Sequence, residues 1–397
     1  MGKIIVHQEK VRDIAALIQT CPFGAMEDKG GKIEINSACR LCKLCVRKGA
    51  GVFEFVETET FAKIDKSTWR GIAVYVDHVG GKIHPVTFEL IGKAKQLAAK
   101  INQPVYAIFL GENIGQQAQE ILHYGVDKVY VCDKKELRAF NIENYATAFE
   151  NFIDKIKPAA ILVGATPVGR QLAPRVAAHF HTGLTADCTI LDIHENTDLV
   201  QIRPAFGGNI MAEILTPNHR PQMATVRYKI MDAPKRNEDI SGSIESLEIA
   251  AEKFTSKIEV LSVTEKPKEL GIENADILVV AGRGVKKKAD LKLIRELADV
   301  LNGDFACTRP LAENGWLEPK RQIGLSGRTV RPKLIITCGV SGSVQFVAGM
   351  EHSEKIFAIN SDPKASIFEV ANYAVVGDLY EIIPKLIAKI KQGENIT

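Results

Sequence analysis

Gln322-Ile323-Gly324-Leu325-Ser326-Gly327-Arg328 forms a glycine-bearing turn, and the apolar run Leu334-Ile335-Ile336-Thr337-Cys338 leads into a second, Gly339-Val340-Ser341-Gly342-Ser343-Val344-Gln345. A buried strand that ends in glycines and feeds a helix leaves backbone N–H groups unpaired at the helix start, where they and the helix dipole favour a phosphate. A dinucleotide cradle holding a pyrophosphate is one reading of the two turns, and ordinary strand-to-helix loops are the other. Ile356-Phe357-Ala358-Ile359-Asn360, followed by Ser361-Asp362-Pro363, is another strand ending in polar turn residues, suited to a ribose or an adenine.

Outward from this stretch, 397 residues exceed one ordinary core, so two or three domains are expected. Lysine and arginine total 51 against 48 acids, and a net charge of +3 gives no electrostatic case for nucleic acid. No apolar run reaches the roughly 18 to 20 residues of a membrane span. Residues Met1 to Lys10 lack a signal-peptide core, which makes the cytoplasm the expected location.

Of the eight cysteines, four crowd the first 45 residues. Cys39-Arg40-Leu41-Cys42-Lys43-Leu44-Cys45 spaces three of them two residues apart, and Cys21-Pro22 supplies the fourth. Zinc usually takes two separated C-x2-C pairs, whereas this arrangement is that of a bacterial-type ferredoxin cluster. A disulfide-stapled module is the other possibility. In a two-cluster ferredoxin each run is completed by the Cys-Pro of the other half. Here Val11 to Ile18 holds no cysteine, and Gly49-Ala50 stands where a second Cys-Pro would fall. One [4Fe–4S] cluster on Cys21, Cys39, Cys42 and Cys45 is therefore expected. Arg40, Lys43, Arg47 and Lys48 form a basic collar that either offsets thiolate charge or steers an acidic redox partner. Cys132, Cys188, Cys307 and Cys338 lie in apolar or strand-like surroundings and read as buried free thiols.

From Gly71 onward strands and helices alternate: Gly71 to Val76, a helix from Thr87 to Ile101, Pro104 to Leu110, Val126 to Val131, a helix from Ile142 to Ile156, then Ala159 to Val163. Such succession predicts a mainly parallel, doubly wound sheet with sites beyond the carboxyl ends of its strands. Gly164 to Arg170 is a tight strand-to-helix turn or an anion site. Shorter β segments follow between Thr185 and Arg227, with Arg203-Pro204-Ala205-Phe206-Gly207-Gly208-Asn209 a turn able to meet a partner or ligand. Met231 to Thr264 is charged and irregular and reads as a connector. A second α/β unit opens with Ala275 to Ala281 and the turn Gly282-Arg283-Gly284. The expected fold is α/β: a ferredoxin-like module over 1–66, an α/β domain with its connector over 67–264, and a second doubly wound α/β domain over 265–397.

Gly282-Arg283-Gly284, Thr308-Arg309-Pro310, Gln322 to Arg328, Gly339 to Gln345 and Ala358 to Pro363 together resemble, in order and spacing, the alpha subunit of electron transfer flavoproteins. The resemblance reaches back to about Trp69, and the added ferredoxin module is similar to that of flavin-bifurcating complexes of anaerobes, such as those of caffeyl-CoA reductase and lactate dehydrogenase. It implies FAD contacts at Arg283, Thr308, Arg309, Ile323, Gly324, Leu325, Ser326, Ser341, Gly342, Ser343, Val344, Gln345, Phe346 and Asn360, with Asp378 a weaker one. Ser326 would donate to flavin N5, Arg309 would favour anionic reduced forms, and Ser341 with the turn amides would suit the pyrophosphate. The family commonly has histidine where this chain has Phe346. A phenyl ring donates no hydrogen bond, so the flavin's potentials are expected to differ while binding persists.

By the same resemblance the partners are a beta subunit carrying a second FAD and taking hydride from NADH, a ferredoxin, and an acyl-CoA dehydrogenase-like flavoenzyme of caffeyl-CoA reductase type. The C-terminal domain would swing between them on the connector before Ala275, with the cluster serving the ferredoxin branch. A lactate dehydrogenase-linked form, and a conventional flavoprotein feeding a quinone reductase, are the alternatives. No acid/base or nucleophile constellation is visible, which fits a carrier.

Overall fold

The computed structural model describes residues 2–36, 38–57, 64–205, 210–264 and 271–392, in two compact units, Met1–Asp65 and Lys66–Thr397. Phe206 to Asn209 of the turn noted above lie outside the described residues.

In the first unit the strand Gly2–Val6 pairs antiparallel with Phe53–Glu57, and Met26–Asp28 with Ile33–Ile35. Two short helices, Ile14–Gln19 and Leu44–Lys48, accompany them. Asp13 caps the first by accepting the N–H of Ala16 at 3.0 Å. Their apolar sides meet over Ile4, Met26, Ile33, Val52 and Phe53.

The second unit holds two parallel sheets. Seven strands line up as Leu184–Cys188, Gln222–Val226, Ala160–Gly164, Ile72–Tyr75, Val105–Gly111, Lys128–Asp133 and Ser243–Ser246, every pairing parallel. Strands buried on both faces need apolar residues at every position rather than at alternate ones. Ala160–Gly164 and Gln222–Val226 are buried throughout. Helices Val86–Ile101 and Gly115–Leu122 pack on one face, and Ile142–Ile156 and Gly169–His179 on the other. Asn141 caps the helix Ile142–Ile156 through the N–H groups of Glu143 and Asn144.

Three of the short β segments, Ile190–Ile193, Leu199–Ala205 and Ile210–Ile214, make a separate antiparallel sheet. The fourth, Gln222–Val226, enters the large sheet instead, because all five of its side chains are apolar or find buried partners. The stretch from Met231 is not uniformly irregular: Ser243–Ser246 adds a seventh strand, and Leu247 and Ile249 bury behind it. Charges along this segment pair outward, Lys128 with Glu245 and Arg236 with Glu120.

Five parallel strands make the second sheet, ordered Asp304–Cys307, Ile277–Ala281, Leu334–Cys338, Lys355–Asn360, Tyr373–Val376. Helices Leu291–Val300 and Leu379–Lys391 cover one face, while Ile323, Val340, Phe346, Met350 and Ile367 cover the other from shorter turns. Since the first and third strands in sequence are neighbours, chain connections leave in opposite directions there and open a crevice at the strands' carboxyl ends. Among the described residues no helix is long and apolar enough to cross a membrane.

Glu89, on the helix Val86–Ile101, is buried and accepts the N–H of Lys229 at 2.9 Å. Burial pushes its carboxyl up to about 7, against the opposing backbone N–H groups. A folded value above the unfolded one means proton uptake stabilises the fold below about 4.5, and that contribution is lost as pH rises to 7. Glu89→Gln removes the ionisation cost and keeps an acceptor. Unfolding free energies from urea titration are expected to fall between pH 4.5 and pH 8 by about 2–3 kcal/mol less for the variant than for the natural protein. Equal falls for both proteins would refute the assignment.

Candidate functional site

The crevice of the five-stranded sheet is built by backbone close approach. Gly284 N–H donates to Gly339 C=O at 2.9 Å, and Gly282 N–H to Cys338 C=O at 2.9 Å. A Cβ on Gly282 would lie 2.3 Å from the Gly339 oxygen, so only glycine fits. Arg283, between the two glycines, is exposed. Gly342 has φ +85°, and a Cβ there would sit 2.2 Å from the Ile367 nitrogen. Ile367 N–H in turn donates to Ser341 C=O at 3.1 Å. The N–H groups of Ser341, Gly342, Ser343 and Val344 donate to no acceptor among the described residues. Such a row of amides is what a phosphate diester takes up.

Asn360 braces this turn from the neighbouring strand, its Nδ2 donating to Val340 C=O at 2.7 Å while Oδ1 accepts Asp362 N–H at 2.9 Å. Asp378 is used differently: its carboxylate caps the helix Leu379–Lys391 by accepting Tyr380 N–H at 2.9 Å.

A cleft of about 520 Å³ opens beside the turns. Of the residues expected at the flavin, Thr308, Arg309, Ile323, Gly324, Leu325, Ser326, Ser343, Gln345 and Phe346 line it; Arg283, Ser341, Gly342, Val344, Asn360 and Asp378 do not. Leu325 N–H donates to Gln345 C=O at 2.9 Å, which ties the first turn to the second. Buried Gln322 donates from Nε2 to Ser326 Oγ at 2.8 Å. That bond occupies an acceptor position on the hydroxyl and leaves its own hydrogen to be donated into the cleft. Arg309 is exposed and held by Glu313 at 2.7 Å. Phe346 is buried among Ile323, Val340 and Met350 while one side of it faces the cleft.

The opposite wall comes from the first α/β domain: Asp187, Arg203, Pro204, Ala205 and Arg227. Arg227 Nη2 donates to Leu325 C=O at 2.7 Å and lies 3.4 Å from Asp187. Burial lowers the pKa of this guanidinium, and Asp187 opposes that shift. Asp187, which also pairs with Arg170 at 3.1 Å, sits at a bulge between Thr185 and Cys188 with φ +58°. Asp187 and Arg227 were not singled out by the sequence reading. The available signal was a buried strand, Gln222–Val226, delivering an arginine at its carboxyl end, as Ile277–Ala281 delivers Arg283. The cleft offers hydroxyls, amides and cations, a set that binds and polarises.

The four early cysteines line one small cavity together with Ile4, Phe23, Met26, Ile35 and Leu44. Ala25 N–H points at Cys21 Sγ at 3.4 Å, and left-handed Leu41 and Lys43 wrap the Cys39-to-Cys45 loop around the cavity. Among the described residues no three His, Cys, Asp or Glu side chains converge on a single metal ion. The four cysteines stand at separate places on the cavity wall. Arg40 lies 4.8 Å over the Phe23 ring and Lys43 3.8 Å over Phe55, so both cations rest on aromatic faces beside the loop. Val11, Ile14 and Leu17, at the spacing a second cysteine run would have before Cys21-Pro22, pack into the unit's core. A Cβ at Gly49 would meet the Phe53 ring at 2.4 Å. The second half is filled with hydrocarbon. The remaining cysteines are buried thiols: burial pushes Cys132 and Cys307 up to about 11, and Cys188 and Cys338 up to about 12.

Residues 72–252 match the electron transfer flavoprotein domain, and residues 271–351 the electron transfer flavoprotein FAD-binding domain. The electron transfer flavoprotein subunit alpha of Thermoanaerobacterium thermosaccharolyticum is 42% identical over 82% of this chain and 98% of its own length. The chain belongs to the electron transfer flavoprotein alpha subunits. It is also 56% identical to the lactate dehydrogenase (NAD(+),ferredoxin) subunit LctC of Acetobacterium woodii, over 99% of this chain and 94% of that one. The acryloyl-CoA reductase electron transfer subunit beta of Anaerotignum propionicum is 36% identical over 84% of this chain and 99% of its own. The cysteine-bearing unit lies outside both family domains and inside the match to LctC.

The conformation at Gly342 gives a direct test. Gly342→Ala places a methyl group against backbone in a left-handed residue and is expected to cost about 2–4 kcal/mol. Chemical denaturation measures the loss, and FAD content after gel filtration should fall with it. A variant with the wild-type midpoint and full FAD would contradict the crevice geometry.

Proposed function

We propose that the chain carries electrons as the alpha subunit of a flavin-based bifurcating complex that couples NADH, a ferredoxin and a partner dehydrogenase. The observation that carries this reading is the match to LctC, which extends over 99% of the chain and so includes the four-cysteine unit. Relatives such as the Thermoanaerobacterium subunit cover 82% of it.

FAD, when bound, supplies reversible one-electron chemistry. The amides of Ser341 to Val344 hold its pyrophosphate, and Asn360 fixes the turn that presents them. Thr308, Arg309, Ile323 to Ser326, Gln345 and Phe346 take the ring system in the cleft, with Arg283 and Asp378 outside the cleft as more distant contributors. Ser326, oriented by Gln322, donates a hydrogen bond to the ring, and Arg309 favours negative charge on it. Cys21, Cys39, Cys42 and Cys45 hold one [4Fe–4S] cluster, whose chemistry is a single low-potential electron. The unit 1–66 thus acts as a ferredoxin-like module in a chain whose other domains are 67–264 and 265–397. Arg40 and Lys43 lower the cost of the thiolates' negative charge. The partners follow from the family: a beta subunit with its own FAD and NADH site, ferredoxin, and a dehydrogenase, in the cytoplasm. The LctC match favours a 2-hydroxy acid dehydrogenase as acceptor over the caffeyl-CoA reductase type. The match to the acryloyl-CoA reductase subunit keeps an acyl-CoA enzyme as the second reading.

The test is anaerobic reconstitution of the native complex with NAD+, reduced ferredoxin and either lactate or an acyl-CoA. Lactate-dependent NAD+ reduction that needs reduced ferredoxin is the expected result; acyl-CoA-dependent turnover alone supports the second reading. Activity indifferent to ferredoxin would overturn the bifurcating assignment. Cys42→Ala, at an exposed position, should drop iron from about four per chain while leaving FAD content intact. Undiminished iron in that variant would remove Cys42 from the ligand set.

A further inference from the structure

Five charged side chains line the cleft: Asp187, Arg203, Arg227, Arg309 and Glu313. Two of the three cations are matched. Arg309 pairs with Glu313 at 2.7 Å, and Arg227 lies 3.4 Å from Asp187. Arg203 has no carboxylate partner among the described residues; its one bond is from Nε to the Pro204 carbonyl, at a long 3.5 Å. It stands on the strand Leu199–Ala205, half-buried, on the wall contributed by the first α/β domain. A half-buried guanidinium without a counter-charge has surrendered part of its hydration for one long hydrogen bond. Negative charge arriving in the cleft would supply that compensation.

The opposite wall carries Ser326 and Arg309, together with Phe346. Phe346 contributes a ring face and no donor. A flavin ring gains negative charge at its pyrimidine end on reduction, and charge near that end sets its potential. Arg309, already neutralised by Glu313, answers only part of that charge.

We propose that Arg203 is a second flavin-facing cation, supplied by the first α/β domain, and that it raises the potential of the bound FAD by favouring its anionic reduced form. Arg227 is the positioning residue of the device. Its Nη2 grips the Leu325 carbonyl across the domain boundary at 2.7 Å, next to Ser326, and so holds the arginine-bearing wall against the cleft. Arg331 adds a second tie between the domains, its Nη1 2.6 Å from Asp232. The flavin is then easier to reduce while these ties are made and harder when they open. The inference rests on the placement of FAD in this cleft under the proposed function.

The experiment measures potentiometric titrations of the FAD-loaded alpha subunit with its partner subunit, following flavin absorbance. Arg203→Gln is expected to lower the potential and to shrink the fraction of anionic one-electron-reduced flavin at least several-fold. Arg203→Lys should restore most of both. Arg227→Gln should act in the same direction, and the addition of salt should narrow the difference between wild type and either Gln variant. Phe346→His reports independently on the placement of the flavin, since it adds a donor on the opposite wall. If Phe346→His moves the potential and Arg203→Gln does not, the role of Arg203 is overturned and the placement of FAD stands. If neither moves it, the cleft is not the flavin's seat and the placement falls with the inference. An Arg203→Gln chain that loses its denaturation midpoint in the absence of FAD also overturns it, because the side chain would then be structural.

Discussion

The second α/β domain depends on the contact of Gly282 and Gly284 with Gly339. Two neighbouring parallel strands, Ile277–Ala281 and Leu334–Cys338, end in turns whose backbones touch, with an N–H to C=O bond of 2.9 Å between Gly284 and Gly339. No side chain fits between them. Because the turns interlock, Arg283 is forced outward, and Ser341 to Val344 present their amides. The Gln345 carbonyl is left to receive Leu325 N–H and to fix the other turn. Packing, backbone hydrogen bonding and the binding surface are thus one arrangement, and each part requires the others.

The cleft beside that interlock has walls of different origin. One is built from the turns of the FAD-binding domain; the other is carried by Asp187 at a strand bulge, Arg203 within a strand and Arg227 just past a strand end of the first domain. Charge is distributed accordingly, with Arg309 paired locally and the cations of the far wall arriving through a long-range fold. Family membership accounts for the FAD-binding domain. Within the cleft the ring of Phe346 offers no hydrogen-bond donor, and Arg203 and Arg227 stand on the wall supplied by the first domain.

Much of this was legible in the chain because glycine positions and apolar runs act locally. Ile142–Ile156, for example, is the helix its periodicity predicts, and the alternation from Gly71 onward gives the parallel sheet. Ser243–Ser246 was not legible, since a four-residue edge strand with one apolar side chain looks like the polar connector around it. Its pairing depends on Lys128–Asp133, more than a hundred residues away. The far wall of the cleft was hidden for the same reason: Arg227 meets Leu325 only after two domains have formed. Asp378 illustrates the converse, because its local role as a helix cap follows from sequence position, whereas the cleft forms without it.

In the N-terminal unit, Val11, Ile14 and Leu17 pack into the core from the half that has no cysteines. Hydrocarbon packing on that side gives the unit cohesion of its own, in a core that also buries Cys45, so a disturbance at the cysteine-lined cavity would reach the surrounding strands and helices only through that shared core.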